Sequence, residues 1–395
     1  MTIRLPGADG TLRDHTPCAE PLLPAPGPAP SSRTLFAAVH VVADPLAEPG
    51  DPRDPAARAV LDWDATLAVR HRLWAHGLAV AEAMDTAQRG TGLDWGTAAE
   101  LIRRSAAEAR AVGGALVCGV GTDQLPERPV NRGTGALAAV RRAYAAQLEL
   151  AEAAGARPVL MASRALAAAA RGPDDYLDVY GGLLRQSAGP VVLHWLGPMF
   201  DPALDGYWGS ADLDRATATL LDLVAAHPGR VDGVKVSLLD AERERDLRRR
   251  LPAGVRCYTG DDFHYPELIA GDEHGFSHAL LGILDPLGPL VADAARAALD
   301  RGDPAGFRAR LEPTVPLARH LFGPPTRHYK TGLVLLAWLA GHQRHFAMVG
   351  GLHSARSLPH LARAYELADG LGLFPDPALA ESRMRTLLTL YGVGA

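Results

Sequence analysis

Among 40 basic residues only Lys235 and Lys330 are lysines; all others are arginine. A surface cation can be either residue at little cost. A site that needs a titratable primary amine cannot use arginine, whose guanidinium stays protonated. The two surviving lysines are therefore candidates for amine chemistry. Lys235 falls in the last turn of an apolar run, Val231-Asp-Gly-Val-Lys-Val. A lysine placed there is largely desolvated, and desolvation lowers the pKa of an amine. A neutral amine can attack a carbonyl and form an iminium, an electron sink for C–C cleavage or proton removal. The competing reading is a lysine that snorkels between a strand and a helix.

The elements that must carry such a site follow from the pattern of the chain. Short apolar runs over residues 35–42, 78–84, 115–120, 158–162, 191–195, 231–236, 255–258 and 275–280 read as strands, each bounded by Gly, Pro or Asp. Helical patterns lie between them, clearest at 98–111 and 136–154, with apolar residues at i, i+3, i+4 spacing. Strands alternating with helices imply parallel pairing and right-handed crossovers, and eight such units close a (β/α)₈ TIM barrel. A doubly wound sheet would carry a Gly-rich phosphate loop after its first strand, and His40-Val-Val-Ala-Asp-Pro is not one. The expected organisation is a Pro-rich, weakly ordered segment over 1–33, the barrel over 34–285 and a C-terminal helical appendage over 286–395.

Active sites of such barrels form at the C-terminal ends of the strands. Those ends carry His40, Glu82, Asp85, Asp123, Ser163, Arg164, His194, Lys235, Asp261, Asp262, His264 and Ser277. His194, one strand before Lys235, is the expected proton shuttle, because an imidazole titrates near neutrality. Its alternative is a core histidine bonded to a backbone carbonyl. Glu82, Asp85 and Thr86 are read as orienting substrate hydroxyls, or, for the acids, as carboxylates paired to an arginine such as Arg89. Of Asp261 and Asp262, one is expected in the pocket and the other as a cap for the next helix. Arg164 and Ser277 complete the expected substrate-binding set. Arg356 is assigned a solvated or interface role.

The bulk composition excludes several classes. A net charge of −5 and 22% charged residues leave no basic footprint for nucleic acid. No apolar run approaches a membrane span, and no secretory signal is evident. Cys18, Cys118 and Cys257 form neither a disulfide framework nor a zinc motif. A reducing cytoplasm is the expected location, and neither a cofactor nor a metal is expected.

Several of these motifs resemble the dihydrodipicolinate synthase / N-acetylneuraminate lyase superfamily. Gly233-Val-Lys-Val is similar to that superfamily's strand-six Gly-Ile-Lys-Glu, and Pro190-Val-Val-Leu-His-Trp-Leu-Gly, about forty residues earlier, to its Pro-x-x-x-Tyr-Asn-x-Pro strand. Gly260-Asp-Asp and Gly275-Phe-Ser resemble its strand-seven and strand-eight elements, and Tyr329-Lys330-Thr a Val-Lys-Ala that opens a helix of its C-terminal domain. The runs Glu82-Ala-Met-Asp-Thr-Ala-Gln-Arg-Gly, His194-Trp-Leu-Gly-Pro-Met-Phe-Asp-Pro and Tyr258-Thr-Gly-Asp-Asp-Phe resemble a divergent synthase-like branch of it. The resemblance implies a class I aldolase-type lyase with Lys235 as Schiff-base nucleophile, a structural role for Lys330, and a homo-oligomer, dimer or tetramer.

The departures from that pattern bear on the substrate. Where the superfamily holds a keto-acid carboxylate in a Gly-Thr-Thr-Gly-Glu loop, this chain has Met84-Asp-Thr-Ala-Gln, and Asp85 would repel a carboxylate at close range. His194 replaces the strand-five tyrosine. An acidic, hydroxyl-reading pocket suits a small carbonyl compound such as a keto-sugar or a sugar-derived keto acid, and hence carbohydrate metabolism; Arg164 argues for an acid group. Two other readings stay open. One is a metal-dependent isomerase, epimerase or class II aldolase using Glu82, Asp123, His194, Asp262 and His264. The other is a barrel that binds a metabolite without turning it over.

Overall fold

The computed structural model describes residues 2–17, 20–22, 24–48, 58–126 and 134–393. A two-stranded antiparallel hairpin, β1 (Ile3–Pro6) with β2 (Leu12–His15), precedes the barrel. Eight parallel strands then close on themselves: β3 (Leu35–Ala38), β4 (Ala79–Glu82), β5 (Leu116–Val120), β6 (Arg157–Leu160), β7 (Val191–Leu196), β8 (Val231–Ser237), β9 (Arg256–Thr259) and β10 (His278–Leu281), with β10 pairing back to β3. All eight overlap the strands read from the sequence, with ends that differ by at most four residues. Phe36, Ala38, Ala81, Val117, Val159, Val192, Tyr258 and Leu280 fill the barrel interior, so the barrel is a packed core rather than a pore.

Around it run α1 (Trp63–Ala75), α2 (Trp95–Val112), α3 (Thr134–Ala153), α4 (Arg164–Ala169), α5 (Pro173–Gln186), α6 (Leu213–Ala226), α7 (Ala241–Arg250), α8 (Tyr265–Ala270) and α9 (Leu284–Ala297). Their starts follow local chemistry. Asp62, Asp94, Asp212 and Asp240 accept backbone N–H groups at the N-termini of α1, α2, α6 and α7. Because α9 packs over β3, it is the barrel's eighth helix, and the appendage begins after it rather than at 286. The appendage comprises α10 (Pro304–Leu311), α11 (Val315–Leu321), α12 (Tyr329–Leu339), α13 (Leu358–Gly370) and α14 (Pro377–Leu390). Among the described residues no helix is long and apolar enough to cross a membrane. Cys118 and Cys257 are free and buried; Cys18 lies outside the described residues.

The lead-in expected to be weakly ordered is instead docked. Ile3 and Leu5 are buried in the same cluster as α13, His15 bonds Asp369 at 2.9 Å, and the Leu22 amide donates to the Gly372 carbonyl. Farther on, Gly27 donates to Ala75, and the Ser31 and Ser32 amides to Asp300. Proline lowers the entropy lost on fixing such a strap, which lets a few hydrogen bonds hold it.

Arg356 departs from expectation as well. Its guanidinium is buried and donates to the carbonyls of Leu321, Gly323, Pro324 and Pro325. It therefore fixes the turn between α11 and α12, and α12 brings two side chains to the mouth of the barrel.

Candidate active site

Lys235 and His194 lie side by side at the C-terminal ends of β8 and β7, as Cα partners in the ladder. Side chains alternate along a strand, so Ser237, two residues after Lys235, shares its face. The three meet in a small chamber with Met84, Asp85, Thr86, Leu196, Phe200, Asp262, Phe322 and Tyr329. Gly260 makes room for the lysine: a Cβ there would stand 2.9 Å from Lys235 Cε and closer still to Ser237 Oγ. The turn carrying Asp85 and Thr86 is set by Ala83, held at a φ of 50°, a left-handed conformation that a residue with a Cβ seldom adopts.

The electrostatics favour an uncharged amine. Burial pushes Lys235 down to about 8, against the opposing pull of Asp262 and Asp85. Burial likewise pushes Asp262 up to about 8, although the Ile283 amide, 2.8 Å away, and Lys235 both favour its charged form. Lining one chamber, the two groups titrate together rather than independently. His194 is held well below the usual histidine range by burial and by the lysine charge, so it is a neutral imidazole at neutral pH and not the group titrating there that the sequence suggested. One of its ring nitrogens, Nε2, lies 3.1 Å from Ser237 Oγ; the other, Nδ1, has no hydrogen-bond partner among the described residues.

Tyr329 is the residue that sequence reasoning missed. It comes from α12, far along the chain, and its hydroxyl meets Thr86 Oγ1 at 2.8 Å and Asp85 Oδ2 at 3.1 Å. Phe322 stacks on its ring at 4.3 Å and Phe200 meets it edge-on at 6.2 Å. Burial raises its hydroxyl well above the usual phenol value.

A larger chamber of about 230 Å³ adjoins the first and shares Asp85, His194, Leu196 and Phe200 with it. Its polar walls are paired. Arg164 bonds Asp201, Arg89 bonds Asp123, and Lys330 bonds Asp85 at 3.0 Å. Thr122 and Ser163, whose hydroxyls are 2.5 Å apart, add hydrogen-bonding groups, and exposed Arg327 lies at the rim.

Of the expected site residues, Lys235, His194, Asp85, Thr86 and Asp262 converge, and Arg164 stands in the outer chamber. Glu82 does not: it is fully buried in the helix layer, held by Arg70 at 2.8 and 2.9 Å and by Ser105. Its partner is Arg70, not Arg89. Asp261 turns away to accept the amides of Phe263 and His264, and it also holds the His264 ring at 2.8 Å. That is the capping role expected of one of the two aspartates. Ser277 donates to Glu244 at 2.6 Å behind the barrel wall. His40 pairs with Asp285 at 2.5 Å and with Gln343 at 2.9 Å, at the seam with the appendage. The strand-end groups considered for a metal are thus dispersed among separate partners, and among the described residues no three His, Cys, Asp or Glu converge.

The Glu244–Ser277 pair has a consequence for stability. Burial raises Glu244 from 4.5 to about 8, with Ser277 opposing and Asp261 reinforcing the shift. The folded state therefore binds this proton more tightly than the unfolded chain does. Its contribution is present below about pH 4.5 and is lost as pH rises towards 8. Relative to Glu244→Gln, the native protein should lose roughly 2–4 kcal/mol between pH 5 and pH 8 in chemical denaturation. Parallel pH dependences of the two proteins would refute this.

Comparison with known proteins sets the chain in context. A family model described as "Protein of unknown function (DUF993)" matches residues 3–393. No curated protein matches. Among solved structures, dihydrodipicolinate synthase from Aquifex aeolicus is 14% identical, with 91% of this chain and 98% of that one covered and a TM-score of 0.60. The Bacteroides thetaiotaomicron enzyme is 15% identical, covering 85% and 98%, with a TM-score of 0.61. The 4-hydroxy-tetrahydrodipicolinate synthase from Methylacidiphilum fumariolicum SolV is 15% identical, covering 92% and 99%, with a TM-score of 0.60. At these identities the likeness is one of fold, and it extends over nearly the full length of each neighbour.

Proposed function

Since the chain belongs to the DUF993 family and has the fold of the dihydrodipicolinate synthases, we propose that it is a Schiff-base-forming lyase or aldolase acting on a small polyhydroxy carbonyl compound, with Lys235 as nucleophile. The observation that carries this reading is a buried lysine, 8% exposed, in a chamber that it shares with a buried carboxyl group, Asp262.

The neutral Lys235 amine attacks the carbonyl carbon. A C–N bond forms, the oxygen takes a proton and the nitrogen loses one, giving a carbinolamine. Protonated Asp262 donates its proton to the departing hydroxyl, water leaves, and an iminium with a carboxylate beside it results. The iminium then takes up the electron pair of an adjacent C–C or C–H bond. His194 Nδ1, which has no hydrogen-bond partner among the described residues, accepts the proton released from a substrate hydroxyl or carbon. Tyr329, bonded to Thr86 and Asp85, positions the substrate oxygen. The protonated His194 returns the proton to the enamine carbon, and water hydrolyses the resulting iminium, freeing the product and the Lys235 amine.

The outer chamber supports the substrate class. Each of its ion pairs offers a donor and an acceptor side by side, which suits the hydroxyls of a keto-sugar or a sugar-derived keto acid. The pairing of Asp85 with Lys330 removes the simple repulsion of a carboxylate that the sequence suggested.

The test is intact-mass analysis after borohydride reduction with a panel of keto-sugars and oxo-acids, followed by peptide mapping. One adduct, on the peptide containing Lys235, is expected. Adducts confined to Lys330, or none with any carbonyl, would count against the reading.

A further inference from the structure

Of the chain's two lysines, Lys330 pairs with a carboxylate, Asp85, that lines the same chamber as the other, Lys235. Lys330 is the second residue of α12, 1% exposed, and its Nζ stands 3.0 Å from Asp85 Oδ1. The other carboxylate oxygen takes the Tyr329 hydroxyl. Asp85 lines both chambers, and its charge reaches Lys235. A lysine in the first turn of a helix opposes the helix dipole. A buried one also carries a desolvation cost that must be offset by its partner. A local rule broken in this way, at the wall of an active site, points to a task.

We propose that Lys330 is a positioning residue that keeps Lys235 reactive: by holding Asp85 in an ion pair, it prevents that carboxylate from acting unopposed on the Lys235 ammonium. The groups facing Lys235 are His194 from β7, Ser237 from β8, Asp262 after β9, Asp85 and Thr86 after β4, and Tyr329 from α12. Of these only Asp262 and Asp85 are acids. Burial favours the protonated form of Asp262, whereas Asp85 is held in an ion pair with Lys330. Removing the Lys330 charge leaves the Asp85 carboxylate uncompensated, which favours the ammonium form of Lys235.

The inference rests on Lys235 being the working amine, but its test reads that amine directly. Trace labelling with acetic anhydride, followed by peptide mass analysis across a pH series, gives the midpoint at which Lys235 becomes an unprotonated amine. With wild type as reference, Lys330→Met should raise this midpoint by about one pH unit, a roughly tenfold loss of free amine at a given pH below it. Lys330→Arg, which keeps the charge, should restore it. Asp85→Asn should lower it, because the Lys330 charge then acts unopposed. An unchanged midpoint in a Lys330→Met protein that melts cooperatively overturns the proposal. If that variant fails to fold, a midpoint in Asp85→Asn equal to or above wild type does so. Failure to form an iminium adduct would leave these midpoints readable, so the two proposals fail separately.

Discussion

Lys235→Arg should reduce kcat/KM by about 10⁴-fold or more and abolish the borohydride-trapped adduct. The substitution keeps a positive charge beside Asp262 and Asp85, so the electrostatic balance of the chamber is nearly conserved. It removes the one property the reaction needs, an amine that can lose its proton near neutral pH. The close approach of Lys235 Cε to Gly260 leaves little room for a guanidinium, so Lys235→Met, which has similar bulk and no charge, is the companion variant. Both should fold, as judged by a cooperative melt. Turnover within tenfold of wild type in either one would remove Lys235 from the chemistry.

Asp262→Asn is expected to have the second largest effect, lowering the plateau rate by about 10²–10³-fold. The amide oxygen can still accept the Ile283 N–H, which limits structural damage. Its signature is two movements in opposite senses. The rate falls because no proton is available for the departing hydroxyl. At the same time, loss of the carboxyl group that favours the Lys235 ammonium should move the lysine further below the ordinary amine value. The acid limb of the pH–rate profile should therefore move to lower pH while the plateau drops. A spectator carboxylate would move neither, and a purely structural one would lower the rate without displacing the limb.

Much of this arrangement was legible in the chain. Short apolar runs bounded by turn residues locate all eight barrel strands, because burial on both faces leaves a continuous apolar signature. Lys235 was conspicuous through its rarity. What a strand end does not reveal is which way its last side chain points. Glu82 closes β4 facing the helices, where Arg70 meets it. Asp85 and Thr86 face the barrel only because Ala83 takes a left-handed conformation that resets the alternation. Ser237 could have been found, since it stands two residues after Lys235 on the same strand. Tyr329 could not, because nothing local ties a helix-opening tyrosine to Asp85 and Thr86, some 240 residues earlier. The same holds for Glu244, whose unusual proton affinity comes from burial behind the barrel wall, reinforced by Asp261, which is distant in sequence. Periodicity reports on burial, whereas the contacts that shift a proton are made by the closed fold.

The docked hairpin sets an order on assembly. Closing the 354-residue interval between His15 and Asp369 costs about 5 kcal/mol in loop entropy if the intervening chain is disordered, but far less once the barrel has brought the two ends together. That contact is therefore worth making only late, after the strands have paired. The same helices, α12 and α13, pack on each other, and α12 carries Tyr329 and Lys330. The hairpin braces α13, which packs on α12, so a chain with its barrel formed and its hairpin still loose would lack one support of the helix that carries Tyr329 and Lys330. The N-terminal closure thus adds bracing to the reactive chamber from outside the barrel.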